Sequence, residues 1–122
     1  MDIESVRDYC LSLPLATEDF PFDETTLVFR VCGKIFAMID LERTEWFVLK
    51  CDPDRAIELR EQHAEISPAW HMNKKHWRNQ LNLYGLLPDG LVRSLIRHSY
   101  DMVVRKLPKT VREANPQVNI NE

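Results

Sequence analysis

Apolar residues recur along this chain with two periods, and these periods divide it into elements. In residues 2–13, Ile3, Val6, Tyr9, Cys10 and Leu13 fall at three- and four-residue steps and so share one face of a helix. Asp2 can cap its start, and Pro14 ends it. An acidic, proline-containing loop, "PLATEDFPFDE", follows. "TLVFRV" (26–31), "KIFAMI" (34–39) and "EWFVLK" (45–50) are rich in β-branched and aromatic residues and read as strands. Cys32-Gly33 joins the first two, and Gly33 can supply the positive φ of a tight hairpin turn. The short connections predict an antiparallel meander.

A second helix begins in "CDPDRAIELREQH". Asp52 stands at the N-cap, Pro53 at the first helical position and Asp54 in the first turn, where an acid suits the positive end of the helix dipole. Ala56, Ile57 and Leu59 supply a narrow apolar face, and Pro68 lies beyond the end. In residues 77–83, Trp77, Asn79, Leu81 and Leu83 alternate with Arg78, Gln80 and Asn82, which is a strand pattern. The last helix runs from about Pro88 to Lys106. Leu91, Val92, Leu95, Ile96, Tyr100, Val103 and Leu107 line its buried side, and Arg93 and Arg97 lie one turn apart on the other. The remainder, "PKTVREANPQVNINE", reads as a loose polar tail.

The predicted order is therefore α-β-β-β-α-β-α. It implies an α+β fold, an antiparallel β-sheet with helices packed on one face, in a single domain over residues 1–112 with a flexible tail at 113–122. A chain of 122 residues is long enough for one real core. No apolar run approaches the roughly 20 residues that span a bilayer, so no membrane partner is expected. The start, "MDIESVRDYC", has early acids and no apolar h-region, which makes a cytoplasmic address the expectation. Cys10, Cys32 and Cys51 are far apart, with no CxxC. They read as small buried residues rather than as disulfides or nucleophiles.

Charge changes this picture more than composition does. The net charge is −3, yet residues 1–66 carry 15 acids against 7 bases, and residues 67–112 carry 2 acids against 9 bases. Such asymmetry points to a polyanion partner or to a polar protein contact. The extreme is "WHMNKKHWRNQL" (70–81), which gathers two Trp, two His, two Asn, two Lys and one Arg without an acid. Lys74, Lys75 and Arg78 are adjacent donors for phosphate oxygens. His71, Asn73, His76, Asn79 and Gln80 can donate or accept hydrogen bonds, and Trp70 and Trp77 offer surfaces on which bases stack. Both tryptophans can instead anchor a core, and for Trp77 the strand phase favours the core. Arg93, Arg97, Arg105, Lys106, Lys109 and Arg112 extend the positive half; read one by one, they are a solvated helix face with pairs such as Asp101 with Arg105. The first helix and residues 18–24 form an acidic side, suited to solubility or to a protein contact.

Other chemistries fit less well. His71 and His76 are five apart rather than four, lack a second ligand pair nearby and sit among cations that repel a divalent ion, so no metal site is expected. His98, Ser99 and Asp101 point in different directions on a helix, because consecutive residues are about 100° apart. With three glycines in the chain and no nucleotide-loop or nucleophile-elbow motif, neither an enzyme nor a bound cofactor is expected.

"DFPFDETTLVFRVCGKIFAMI", "LKCDPDRAIELRE", "PAWHMNKKHWRNQL" and "SYDMVVRKLPKTVR" occur in this order and spacing, and in this the sequence resembles the MmcQ/YjbR family of small bacterial proteins over nearly all of residues 1–112. Asp23 and Ala69 stand where that family more often has glycine. The resemblance implies a CyaY-like fold, similar to the bacterial frataxin homologue, and DNA binding through hairpins. Carried over by position, the nucleic-acid surface would fall on His71, Asn73, Lys74, Lys75, His76 and Arg78, to which the sequence adds Arg93 and Arg97. The resulting expectation is a non-enzymatic nucleic-acid-binding protein, with DNA as the partner. The alternative is a protein-interaction or self-association module built on the charge-segregated halves.

Overall fold

The computed structural model describes residues 1–69 and 79–118. Among these, the order is α1 (Ile3–Ser12), β1 (Ala16–Asp19), β2 (Thr26–Val31), β3 (Lys34–Asp40), β4 (Phe47–Leu49), α2 (Pro53–Gln62), β5 (Ile66–Pro68), β6 (Asn79–Leu81), α3 (Asp89–Arg105) and α4 (Lys109–Ala114), with a 3-10 turn at Pro116–Val118. The strands form one antiparallel sheet in the order β1-β2-β3-β4-β6-β5. The fold is α+β, with α1 and α3 packed against one face of that sheet.

Local signals act where the sequence places them. Asp2 Oδ1 accepts the Ser5 N–H at 2.8 Å, and Asp52 Oδ2 accepts the Arg55 N–H at 3.2 Å, so both helices start on a side-chain cap. At the β2–β3 hairpin Cys32 and Gly33 both have positive φ, 49° and 80°, the signature of a type I′ turn. A bulge between Phe29 and Arg30 lets Phe36 and Ala37 both enter the core.

The core lies between the sheet and the helices. Leu27, Phe29, Ile39, Phe47, Leu49 and Leu81 meet Val6 and Cys10 of α1 and Val92, Leu95, Ile96, Tyr100 and Val103 of α3. Tyr100 is fully buried, edge-on to Phe36 at 5.3 Å, and its hydroxyl donates to the Pro14 carbonyl at 2.6 Å. Ser99 donates to the Phe36 carbonyl at 2.5 Å and accepts the Lys50 N–H at 2.9 Å, so one buried hydroxyl ties α3 to β3 and to the end of β4.

The structure corrects the sequence reading at several places. The loop of residues 14–24 contains strand β1, whose pattern is polar because it is a sheet edge held by ion pairs: Arg7 with Glu18, and Arg30 with Asp19 at 3.0 Å. A second short strand, β5, precedes residue 69. Ile57 is not part of an apolar face but 49% exposed, and Ala56 and Leu59 alone face inward. The segment read as a loose tail is helical from Lys109, and Val118 is buried in the core cluster. Asp23, in place of an expected glycine, makes a turn of its own by accepting the Thr25 and Thr26 N–H groups at 2.9 and 2.6 Å.

Candidate nucleic-acid interface

Six residues singled out from sequence, His71, Asn73, Lys74, Lys75, His76 and Arg78, lie outside the described residues. Their anchors do not. β5 and β6 are antiparallel neighbours, and Pro68 and Asn79, the strand ends that residues 69–78 connect, are register partners. Asn79 is also the partner of Leu49 at the end of β4. The connection therefore leaves and re-enters at the sheet end where Lys50 follows the last residue of β4 and β3 begins with Lys34.

Asn79 fixes this end. It is buried, its Nδ2 donates to the Ala56 carbonyl at 3.2 Å, and its Oδ1 accepts from Arg60 Nη1 at 2.8 Å. The β6 start is thus clamped to α2, and a guanidinium is held beside it.

Several cations converge on the same end. The half-buried Lys50 ammonium titrates below the usual lysine range, first because burial disfavours its charge and then because Lys106 and Lys34 repel it. Lys34 starts β3, and Lys106 caps the C-terminus of α3, so three elements bring like charges within mutual range. Arg55, in the first turn of α2, reaches Ser94 Oγ of α3 at 3.2 Å. His98, one turn further along α3, accepts the Asp52 N–H on Nε2 at 3.0 Å. Its pKa is pushed down by burial, then by Arg55, with Arg105 adding a smaller push. A flank of α3 carrying Ser94, His98 and Arg105 therefore faces the start of α2 and continues into the lysine group.

The two arginines named from sequence lie elsewhere on the helix. Arg93 is exposed, and by helical geometry sits about 100° around α3 from Ser94. Arg97 Nε binds Asp101 Oδ1 at 3.0 Å, and its guanidinium lies 5.3 Å from the centre of the Tyr100 ring. Arg97 is thus Asp101's ion-pair partner, where the sequence suggested Arg105. Its charge is partly spent within the protein.

Lys34, Lys50 and Arg55 were missed by the sequence reading, because they belong to the half of the chain that is acidic by count. The signal existed: in an antiparallel hairpin pair, the first residue of one strand and the last of the next lie at the same end.

His98 bonds to Asp52, Ser99 to Phe36 and Lys50, and Asp101 to Arg97. Burial raises the thiol pKa of Cys10 and Cys51, and none of the three cysteines forms a disulfide. Among the described residues, no three His, Cys, Asp or Glu side chains come together as a metal ion would need, and no helix is long and apolar enough to cross a membrane.

The family model described as YjbR matches residues 11–102. The chain belongs to the YjbR family. Its YjbR relatives include the Escherichia coli K12 protein described as "Uncharacterized protein YjbR", 33% identical over 114 residues that cover 93% of this chain and 96% of the relative. Another is "Uncharacterized protein YbdF" of Escherichia coli O157:H7, 33% identical over 109 residues and 87% of each chain. The crystal structure of Deinococcus radiodurans protein DR2400, a DUF419 domain, superposes with a TM-score of 0.82 at 37% identity, over 93% of this chain and 87% of that one. The YjbR-family match covers every element from the end of α1 to most of α3, including both anchors of the 69–78 connection.

Proposed function

We propose that this YjbR-family protein is a non-enzymatic nucleic-acid-binding protein, with DNA as its partner, and that it grips phosphates at the basic end of its sheet. The observation that carries the reading is the convergence of Lys34, Lys50 and Lys106 at the end where Pro68 and Asn79 anchor a segment that adds Lys74, Lys75 and Arg78. Like charges brought together by three separate elements repel one another, and an anionic ligand relieves that repulsion. Trp70 flanks these cations in sequence and supplies a stacking surface, while His71, Asn73 and His76 supply hydrogen bonds. Arg93 and Arg97 extend the reading along α3, with Arg97 the weaker contributor because it already serves Asp101.

Fluorescence anisotropy with labelled DNA at two salt concentrations tests this. With about four phosphate contacts, log K falls against log salt with a slope near −3 to −4. Binding is strongly weakened in Lys74→Glu/Lys75→Glu. Absence of binding at low salt, or indifference to this double reversal, contradicts the reading.

A second reading is docking to another protein or to a second copy. It draws on Phe20 and Phe22, exposed in water beside Asp19 and Asp23, opposite in charge to the lysine end. Light scattering at low and high salt separates the two, since self-association through opposite charges weakens with salt in the absence of nucleic acid.

A further inference from the structure

We propose that the pocket beside α4 is a second site, one for a phosphate group, with Arg112 as its principal contact. Leu107, Lys109, Arg112 and Glu113 line this pocket of about 450 Å³, which lies in the size range of small-molecule sites. In α4 Lys109 stands three positions before Arg112 and four before Glu113, so the three side chains share one face of the helix. Leu107, buried just beyond the end of α3, supplies the apolar edge. α4 is held by other residues: Val111 packs against the core, Asn115 Nδ2 donates to the Val111 carbonyl at 2.9 Å, and Val118 re-enters the core.

Arg112 carries the proposal. Its Nε is buried without a hydrogen-bond partner, and no described residue forms a hydrogen bond or an ion pair with its guanidinium. Other arginines are committed: Arg7, Arg30 and Arg97 each hold a carboxylate, and Arg55 and Arg60 each donate to a neutral side chain. Glu113, the carboxylate at the pocket, serves Lys109 instead, with Oε1 3.8 Å from Nζ. Buried polar groups are nearly always satisfied, and a guanidinium half withdrawn from water pairs with an incoming anion more strongly than an exposed one does. An oxyanion in the pocket offers acceptors to the Nη groups and, after a small turn of the planar head, to Nε. That is the two-pronged pairing arginine makes with phosphate.

The charges select the ligand. Lys109 and Glu113 offset each other, so Arg112 leaves the lining net positive, and Lys106, next to Leu107 in the chain, adds to the field on that side. A neutral molecule leaves the guanidinium unpaired. A phosphate dianion takes both prongs of Arg112 and draws on Lys109, whose surface pairing with Glu113 is weak. Two sources carry this group: a small phosphate-bearing molecule, or the backbone of a nucleic acid. In the second case the inference rests on the reading proposed above; in the first it is independent of it.

NMR spectra of the full chain, titrated with inorganic phosphate and separately with dimethyl phosphate, each replacing chloride at constant ionic strength, test the proposal. The expected result is saturable shifts at the Lys109, Arg112 and Glu113 amides and at the Arg112 Nε–H with inorganic phosphate. Arg112→Gln should weaken binding by about 10-fold, and Arg112→Lys, which keeps the charge but not the fork, by about 3-fold. An unmoved Val118 amide shows that α4 stays docked in both variants. Saturation by dimethyl phosphate, with DNA affinity reduced in Arg112→Gln, assigns the phosphate to a nucleic-acid backbone. Preference for inorganic phosphate, with DNA affinity unchanged, assigns it to a small molecule. The shifts should persist in Lys74→Glu/Lys75→Glu, which separates this site from the nucleic-acid reading. No saturable shift at Lys109–Glu113, shifts confined to Lys34 and Lys50, or unchanged phosphate affinity in Arg112→Gln would overturn it.

Discussion

His98 Nε2 accepts the backbone N–H of Asp52 at 3.0 Å, so a side chain in the middle of α3 caps the approach to α2. Only a neutral ring with its proton on Nδ1 can accept there. Burial, Arg55 and Arg105 all favour that neutral form, outweighing the opposite pull of Asp52 and Asp101. The folded ring therefore binds a proton less readily than the unfolded one, whose ordinary value is 6.5. Below that pH the unfolded chain holds more protons, and stability falls. Urea unfolding should show full His98-linked stability above about pH 6.5 and a loss on acidification through it, levelling once the folded ring also protonates. A His98→Gln variant should lack that component; an identical pH profile in both proteins would contradict the assignment.

Ser99 is the buried link between α3 and two strands. Ser99→Ala leaves the Phe36 carbonyl and the Lys50 N–H without this partner. Stranding buried backbone groups costs about 1–3 kcal/mol, which a shift in the urea midpoint at constant m would report. Tyr100→Phe, which frees only the Pro14 carbonyl, should cost about 1 kcal/mol.

Asn79 closes the base of the 69–78 connection. Asn79→Ala removes the bonds to Ala56 and to the Arg60 guanidinium, and should destabilise the fold by about 2 kcal/mol. If nucleic acid binds at this end, the loss of affinity in Asn79→Ala should exceed what its unfolded fraction explains.

Two glycines make opposite predictions. Gly33 has φ +80° and open space around its missing Cβ, so Gly33→Ala should cost about 1 kcal/mol in backbone strain alone. Gly90 lies in the first turn of α3, also in open space, and Gly90→Ala should stabilise by about 0.5–1 kcal/mol. Thermal midpoints of the two variants should shift in opposite directions, and a shift of the same sign in both would contradict the assignment to backbone conformation.

Much of this fold is legible in the chain because its helix starts and its hairpin are written locally. Asp52-Pro53-Asp54 and Cys32-Gly33 need only their neighbours to act. What escaped depends on distant partners. "ATED" becomes strand β1 because Arg7 and Arg30 wait for its carboxylates. Val118 becomes core because α4 returns it to the sheet side, which no period in a polar tail announces. The lysine end escaped for the same reason: Lys34, Lys50 and Lys106 are spread over 73 positions in sequence, and only the strand register and the Ser99 link bring them together. Arg97 looked available in sequence and is committed to Asp101 and Tyr100 by the helix period itself.

The proposed phosphate grip at the lysine end of the sheet is tested by Lys34→Glu/Lys106→Glu. Both side chains are exposed, so the fold should persist. The salt dependence of DNA binding should flatten by about 2 in log–log slope relative to the parent protein, with a marked loss of affinity at low salt. An unchanged slope and affinity in this double variant would contradict the account.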